Sequence, residues 1–497
     1  MHMSTRSAAR SLLVVILTAF AALLVGITQT LTTAITASLG LTAVQAIIVP
    51  GTGTQHPADV LNYLPNAVNN YLVPGGDCTG GCVLNPTSGI EYDAQFWPIP
   101  LPGWGGLQGA KWNDSVQSGV LALSGAYTTA QGTGQPIVIF GYSQGATVAG
   151  QFKALHAADP QSVKDTTNYF FIGNPQRPNG GVFERLAMLG TVPILDATFG
   201  NPTPTDTCLH SDGSPCATDV ALQYDGVVDS PQWILNPLAV GNALAGFQYV
   251  HGTYLAPDGT DAPTAHPYGY TVQEVQDDIA KASAPGGCTP ENYCQQHGDT
   301  IYITLPARTL PLYQPLLDLG AATGTSFLII PVVDLLQPAT QTLIETGYNR
   351  TDYGNPQPFT LLPPATFNPI QTAGQLIQDI PIGINNALTP GLQPLPGSDP
   401  NSNVVQTDAV QTPVVQTTVV QTNQTVTTAS TTDSTPLLRL SMIAKPNEGI
   451  TTAGSGGSDA NHPLQNALKD VHPVKDVVKA VSGAVDKALG KDDGSSG

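Results

Sequence analysis

The sequence predicts an α/β fold, a mainly parallel central sheet flanked by helices, with a low-complexity C-terminal tail. Three observations predict it. Apolar runs at 46–49, 136–140 and 168–173 have strand length and no polar alternation, as strands buried on both faces require. Helical spacing separates them, with Val116, Val120, Leu121, Leu123 and Ala126 on one stripe between Asp114 and Ala130, and a second helix from Ala146 to His156. A Gly-x-Ser-x-Gly sequence, Gly141 to Gly145, stands at a strand-to-helix junction.

At the amino terminus Arg6 and Arg10 precede an uncharged apolar run from Leu12 to about Leu31. That order marks export, by a signal sequence or a membrane anchor, and segment 1–45 is assigned to it. A run of about 20 residues can span a bilayer, while small residues near Ala34, Ala37 and Ala43 offer cleavage sites, so both readings stand. Ala46-Ile47-Ile48-Val49 is the first core strand, ended by the loop Pro50-Gly51-Thr52-Gly53-Thr54. The helix from Asp114 ends at Gly132–Gln135 ahead of the strand Pro136–Phe140, half of a parallel βαβ unit. Further strands are expected at Val220–Tyr224 and Thr300–Leu305. The apolar stretch Leu310–Leu336, broken by prolines, reads as core helices or as a lid beside the site.

The α/β domain is assigned to 46–390 and the tail to 391–460, where Gln-Thr recurs at 406, 411, 416 and 421 without a core-forming pattern. A short helix interrupted near Pro473 is expected within 461–497. A charged fraction of 11% against 41% hydrophobic residues suits a large core with many loops. A net charge of −19 repels phosphate backbones, which excludes nucleic-acid binding, and membrane contact should be apolar. The six cysteines fall in close pairs, Cys78 with Cys82, Cys208 with Cys216 and Cys288 with Cys294, which suits local disulfides in an oxidising compartment. A zinc site is the rival reading of the first pair, but no matching His or Cys spacing accompanies it.

Chemistry centres on Ser143. A nucleophilic serine on a strained strand-to-helix turn needs small neighbours two positions away, and Gly141 and Gly145 supply them. A bound acyl group needs two backbone donors for its oxyanion; the amide of Gln144 is one, and Thr52 or Gly53 supplies the other. The acid and base follow the serine in chain order. Asp225, at the end of a predicted strand before Gly226, is preferred as the acid, with Asp229 second and also suited to cap a following helix. His251 follows the acid and is the preferred base; His210 precedes it, and His266 and His297 sit in polar loops. No phosphate-cradling loop or metal constellation accompanies these residues, so no cofactor is expected.

Pro50-Gly51-Thr52-Gly53-Thr54, Gly141-Tyr142-Ser143-Gln144-Gly145-Ala146, the segment Gly173 to Gly181, Tyr224-Asp225-Gly226, His251-Gly252-Thr253-Tyr254 and Glu345 to Arg350 together resemble the PE-PPE C-terminal domain of mycobacteria. That family is a serine α/β-hydrolase related to cutinase-like enzymes. The resemblance covers about Ala46 to Tyr353 and implies an esterase or lipase acting on acyl esters, or an acyltransferase moving acyl groups between trehalose glycolipids of the cell envelope. An apolar segment in place of a helical PE or PPE domain is similar to the membrane-anchored members. A different class, a non-catalytic cell-surface binding protein, would suit the repetitive tail but has no need of Ser143, Asp225 and His251 together.

Overall fold

The computed structural model describes residues 43–78, 80–256 and 268–395. The N-terminal apolar run, His266, the Gln-Thr repeats and the helix expected within 461–497 lie outside the described residues. The chain divides into Met1–Pro446 and Asn447–Gly497, and every described residue belongs to the first unit.

Seven strands form the central sheet in the order β2-β1-β3-β4-β7-β9-β8, comprising β1 Val44–Val49, β2 Cys82–Leu84, β3 Ile137–Tyr142, β4 Thr167–Ile172, β7 Ala217–Leu222, β8 Cys294–His297 and β9 Thr300–Leu305. A separate hairpin joins β5 Thr191–Val192 to β6 Ala197–Thr198. All neighbours in the large sheet run parallel except β8 with β9. The uninterrupted apolar runs are explained by burial on both faces: Ile48, Phe140 and Phe170 pack into one core, while Ile47, Ile139 and Phe171 pack into the other.

The longer helices are α1 Trp112–Gln131, α2 Gln144–Leu155, α3 Pro237–Tyr249, α4 Val272–Ser283, α5 Gln314–Thr323, α6 Ser326–Glu345 and α7 Pro369–Leu388. Asn236 caps α3 by accepting from the amides of Leu238 and Ala239, with Pro237 at the first helical position. Thr271 and Glu274 close a capping box on α4. The stretch 310–336 is helical, forming a 3-10 turn at Pro311–Tyr313, α5 and the first half of α6, but most of it is not core: Leu319, Phe327 and Leu328 are among its exposed residues. Helix α6 packs on α5, α3 and α7.

Three disulfides staple the expected pairs, Cys78–Cys82, Cys208–Cys216 and Cys288–Cys294. Beside the second, the fully buried Lys153 ammonium meets the Asp299 carboxylate at 2.7 Å. Burial pushes the lysine down; burial opposes the charge of Asp299 too, but Lys153 outweighs it and leaves that carboxyl below its usual range.

Candidate active site

Strand β3 delivers Ser143 to the turn into α2, where its backbone takes φ 54° and ψ −119°, a region that L residues enter only under strain. The flanking glycines follow from space. A Cβ on Gly145 would lie 2.2 Å from the Val49 carbonyl oxygen, and one on Gly141 would lie 2.5 Å from the Gly145 carbonyl oxygen. The turn is tied from beneath: Ser115 donates to Gln144 Oε1 at 2.9 Å and Gln144 Nε2 donates to the Gln95 carbonyl at 2.9 Å.

Strand β7 ends two residues before Tyr224, whose φ of 67° turns the chain so that Asp225 points back toward the elbow. Gly226, which follows the preferred acid, is not the residue that makes this turn. The left-handed residue is instead Tyr224, and Gly226 serves close approach, since a Cβ there would sit 2.0 Å from the Ala243 carbonyl oxygen of α3. His251 follows α3 after one residue, Val250. Its Nε2 lies 2.9 Å from Ser143 Oγ and its Nδ1 lies 2.8 Å from Asp225 Oδ2. Asp225 is fully buried, and its remaining capacity is used: Tyr254 donates to Oδ2 at 2.9 Å and the Val227 amide donates to Oδ1 at 2.9 Å. Tyr142 donates to the His251 carbonyl, fixing the segment that carries the imidazole.

Asp229 does not reach His251 and caps no helix. It accepts from the Tyr224 amide at 2.8 Å and pairs with Arg350 at 2.9 Å. Arg350 in turn bridges to Glu345 at 2.8 Å, and Tyr224 donates to Glu345 at 2.7 Å. Burial of the guanidinium opposes its charge, but Asp229 and Glu345 more than offset this and hold it well above the usual arginine range. This cluster clamps the turn from behind. His210 lies against Ser214 at 3.0 Å and His297 against Asp352 at 3.0 Å, neither near Ser143.

Gln144 stands at the first position of α2, where the amide has no preceding helical turn to bond to. The loop after β1 lies against the serine, with a Gly51 Cβ reaching 3.1 Å from Ser143 Cβ. Of the two loop residues expected to supply a second donor, Gly53 has its amide committed to the Ala94 carbonyl at 2.7 Å, whereas Thr52 lines the cavity in front of Ser143. That cavity measures about 290 Å³. Ser143 and His251 open into it between Trp104, Trp112 and Phe183 on one side and Val240, Leu244 and Phe247 of α3 on the other. The stretch 310–336, for which a lid was the alternative to core helices, does not line it; α3 and Phe359 do, because α6 packs behind α3.

The fold, with a serine on the turn after a central parallel strand and acid and histidine on later turns at the same sheet end, is that of the α/β-hydrolases. The PE-PPE domain family matches residues 85–349, and the chain belongs to it. It is 31% identical over 322 residues to the esterase PE16 of Mycobacterium tuberculosis, covering 64% of this chain and 51% of that one. It is 31% identical to the PE family protein PE3 of the same organism, covering 67% and 60%, and 24% identical to the diacyltrehalose acyltransferase Chp2, covering 58% and 73%. The chain thus spans about half the length of the first of these relatives.

Proposed function

We propose that this chain is an exported serine esterase that cleaves carboxylic esters of apolar acyl groups through an acyl-Ser143 intermediate. The observation that carries the reading is the hydrogen-bonded line Ser143 Oγ, His251, Asp225, at 2.9 and 2.8 Å, opening on an apolar cavity. Asp225 accepts a hydrogen bond from Nδ1–H, which leaves Nε2 with its lone pair facing the serine. His251 takes the Ser143 proton as Oγ attacks the ester carbonyl. The oxyanion meets the amides of Gln144 and Thr52, and His251 returns the proton to the departing alkoxide. Water then attacks the acyl-enzyme by the same steps in reverse. The cavity, about 290 Å³, is at the small end for ligand pockets and suits one acyl chain, with the alcohol portion outside. The relative named as an esterase supports the reaction class, and the three disulfides support an exported or envelope location.

Acyl transfer is the second reading, favoured by the apolar lining, which disfavours water, and by the relative named as a diacyltrehalose acyltransferase. The two reactions share the acyl-enzyme and differ in which hydroxyl attacks it. Hydrolysis of p-nitrophenyl esters of increasing length by the full chain and by Ser143→Ala tests the nucleophile. Adding trehalose esters separates the outcomes, since an acylated sugar in place of free acid marks transfer. A wild-type chain that turns over no ester and acylates no sugar would leave the non-catalytic surface-protein reading.

A further inference from the structure

Among the described residues, a large exposed apolar surface lies next to the cavity. On α6, Phe327 and Leu328 are 72% and 60% exposed; on α7, Ile370, Ile377 and Leu388 are 84%, 70% and 80% exposed. Helix α6 is long and apolar enough to cross a bilayer, yet one side of it is buried through Asp334, Gln337 and Gln341 against its neighbours. Helices α6 and α7 have hidden their charges. Asp334 is buried and accepts from the Gln393 amide at 3.0 Å, and Asp379 is buried and accepts from Thr342 at 2.6 Å. What remains outward is uncharged and mostly aliphatic or aromatic, with Gln378 and Asn385 the exposed polar side chains of α7, and from 309 to 395 the sole cationic residue is the buried Arg350.

The surface is continuous with the cavity on two sides. Leu244 of α3 both lines the cavity and is 59% exposed, and α6 packs on α3. Phe359 lines the cavity, while Leu361 and Leu362 after it are 67% and 75% exposed. The strap carrying them is fixed: Trp233 Nε1 donates to the Leu361 carbonyl and the Ile234 amide donates to the Thr360 carbonyl.

We propose that the face formed by α6, α7 and the strap at 359–362 docks on an uncharged lipid surface, into which it sinks its aliphatic side chains with the cavity mouth at the contact line. A patch of this kind on a monomer marks an interaction site. Its lack of cations, on a chain of net charge −19, fits a zwitterionic or neutral lipid layer and gives an anionic one no attraction. Binding then grows with buried apolar area and does not depend on ionic strength. The inference rests on the ester-hydrolase reading for its purpose, since it would bring apolar esters to the cavity without passage through water.

The test uses the full chain, whose six cysteines are paired as three disulfides, so that one introduced cysteine carries one nitrobenzoxadiazole label. Labels go at Phe327→Cys, Ile377→Cys and, as the control on α2, Leu155→Cys, which is 69% exposed. Because the readout belongs to each position, an N-terminal anchor that brings the chain to the bilayer does not imitate it. With phosphatidylcholine vesicles, emission at 327 and 377 shifts to the blue and rises about threefold, unchanged by salt, while 155 stays as it was. No response at 327 and 377, or an equal one at 155, overturns the proposal. A blue shift before vesicles are added also overturns it: one growing with protein concentration assigns the face to a second copy, and a concentration-independent one assigns it to the chain's own remaining residues. Turnover is not part of the readout, so a chain that hydrolyses no ester but responds at 327 and 377 keeps the docking face and loses the proposed function.

Discussion

Replacing Asp225 by Asn separates the two aspartates that the sequence left in competition. In the structure Asp225 Oδ2 lies 2.8 Å from His251 Nδ1, while Asp229 is held by Arg350 at 2.9 Å. An Asn at 225 keeps the volume and can keep the Val227 amide bond at Oδ1, but it offers an amide donor to Nδ1 or no charge to a protonated ring. The favoured tautomer then has its proton on Nε2, facing Ser143, and cannot accept another. Loss of the working tautomer and of imidazolium stabilisation is worth roughly 10³- to 10⁴-fold in kcat, or about 4–5 kcal/mol of barrier. Asp229→Asn should behave in the opposite way. It leaves the serine, histidine and acid bonded and takes one carboxylate from a buried guanidinium that retains Glu345 at 2.8 Å, so the cost falls on stability, about 2–4 kcal/mol. The assay is kcat/KM on p-nitrophenyl butyrate beside urea unfolding of each variant. Asp225→Asn within about tenfold of wild type, or Asp229→Asn that stops turnover at unchanged stability, would refute the assignment.

Other variants probe separate parts. Val240→Trp, which fills the cavity from α3, should shift acyl preference downward, lowering kcat/KM on long-chain esters by about tenfold or more while butyrate changes by less than about threefold; equal losses at every length would remove α3 from the acyl site. Glu184 is buried with no hydrogen-bond partner for Oε2 among the described residues, and burial, only partly offset by Arg185, pushes it up from 4.5 to about 7. Its folded pKa exceeds its unfolded one, so wild-type stability is highest below about pH 4.5 as far as this group is concerned and falls as pH rises through about 7, by up to roughly 3 kcal/mol. Glu184→Gln should flatten that fall in urea unfolding between pH 5 and about 8; an unchanged slope would show that this carboxyl is not held neutral. Lys153→Met strands the buried Asp299 beside the Cys208–Cys216 disulfide and should cost about 3–5 kcal/mol, whereas a loss under about 1 kcal/mol would mean the carboxylate is satisfied by its backbone and hydroxyl donors.

What the sequence made legible follows from local physics. The runs at 46–49, 136–140 and 168–173 are strands because a parallel sheet covered on both faces needs apolar residues without alternation. The elbow glycines are legible because no Cβ fits beside the Val49 and Gly145 carbonyls. Edge strands were not legible. Residues 82–84 and 294–297 contain Cys, Gln and His and are partly exposed, so no hydrophobic period announces them. Helix α7 escaped although its apolar residues recur at helical spacing, because Pro381 inside it reads as a helix breaker. Which of Thr52 and Gly53 keeps a free amide depends on the Ala94 carbonyl, some forty residues away, and no local pattern encodes that contact. The same holds for Tyr254 behind Asp225 and for Arg350 behind Asp229. Their segments had been noticed as family marks, but their roles required the fold. Hydrophobicity alone left 310–336 open between core helices and a lid beside the site; the cavity wall is α3 instead, because Gly226 lets it approach the turn after β7.

The most direct measurement is intact-mass and peptide-level mass spectrometry of the full chain after exposure to a fluorophosphonate. A single adduct on Ser143, absent from Ser143→Ala and formed much more slowly by His251→Ala, is the expected result. An unmodified Ser143, or an adduct that persists in Ser143→Ala, would contradict its role as the acyl-accepting nucleophile.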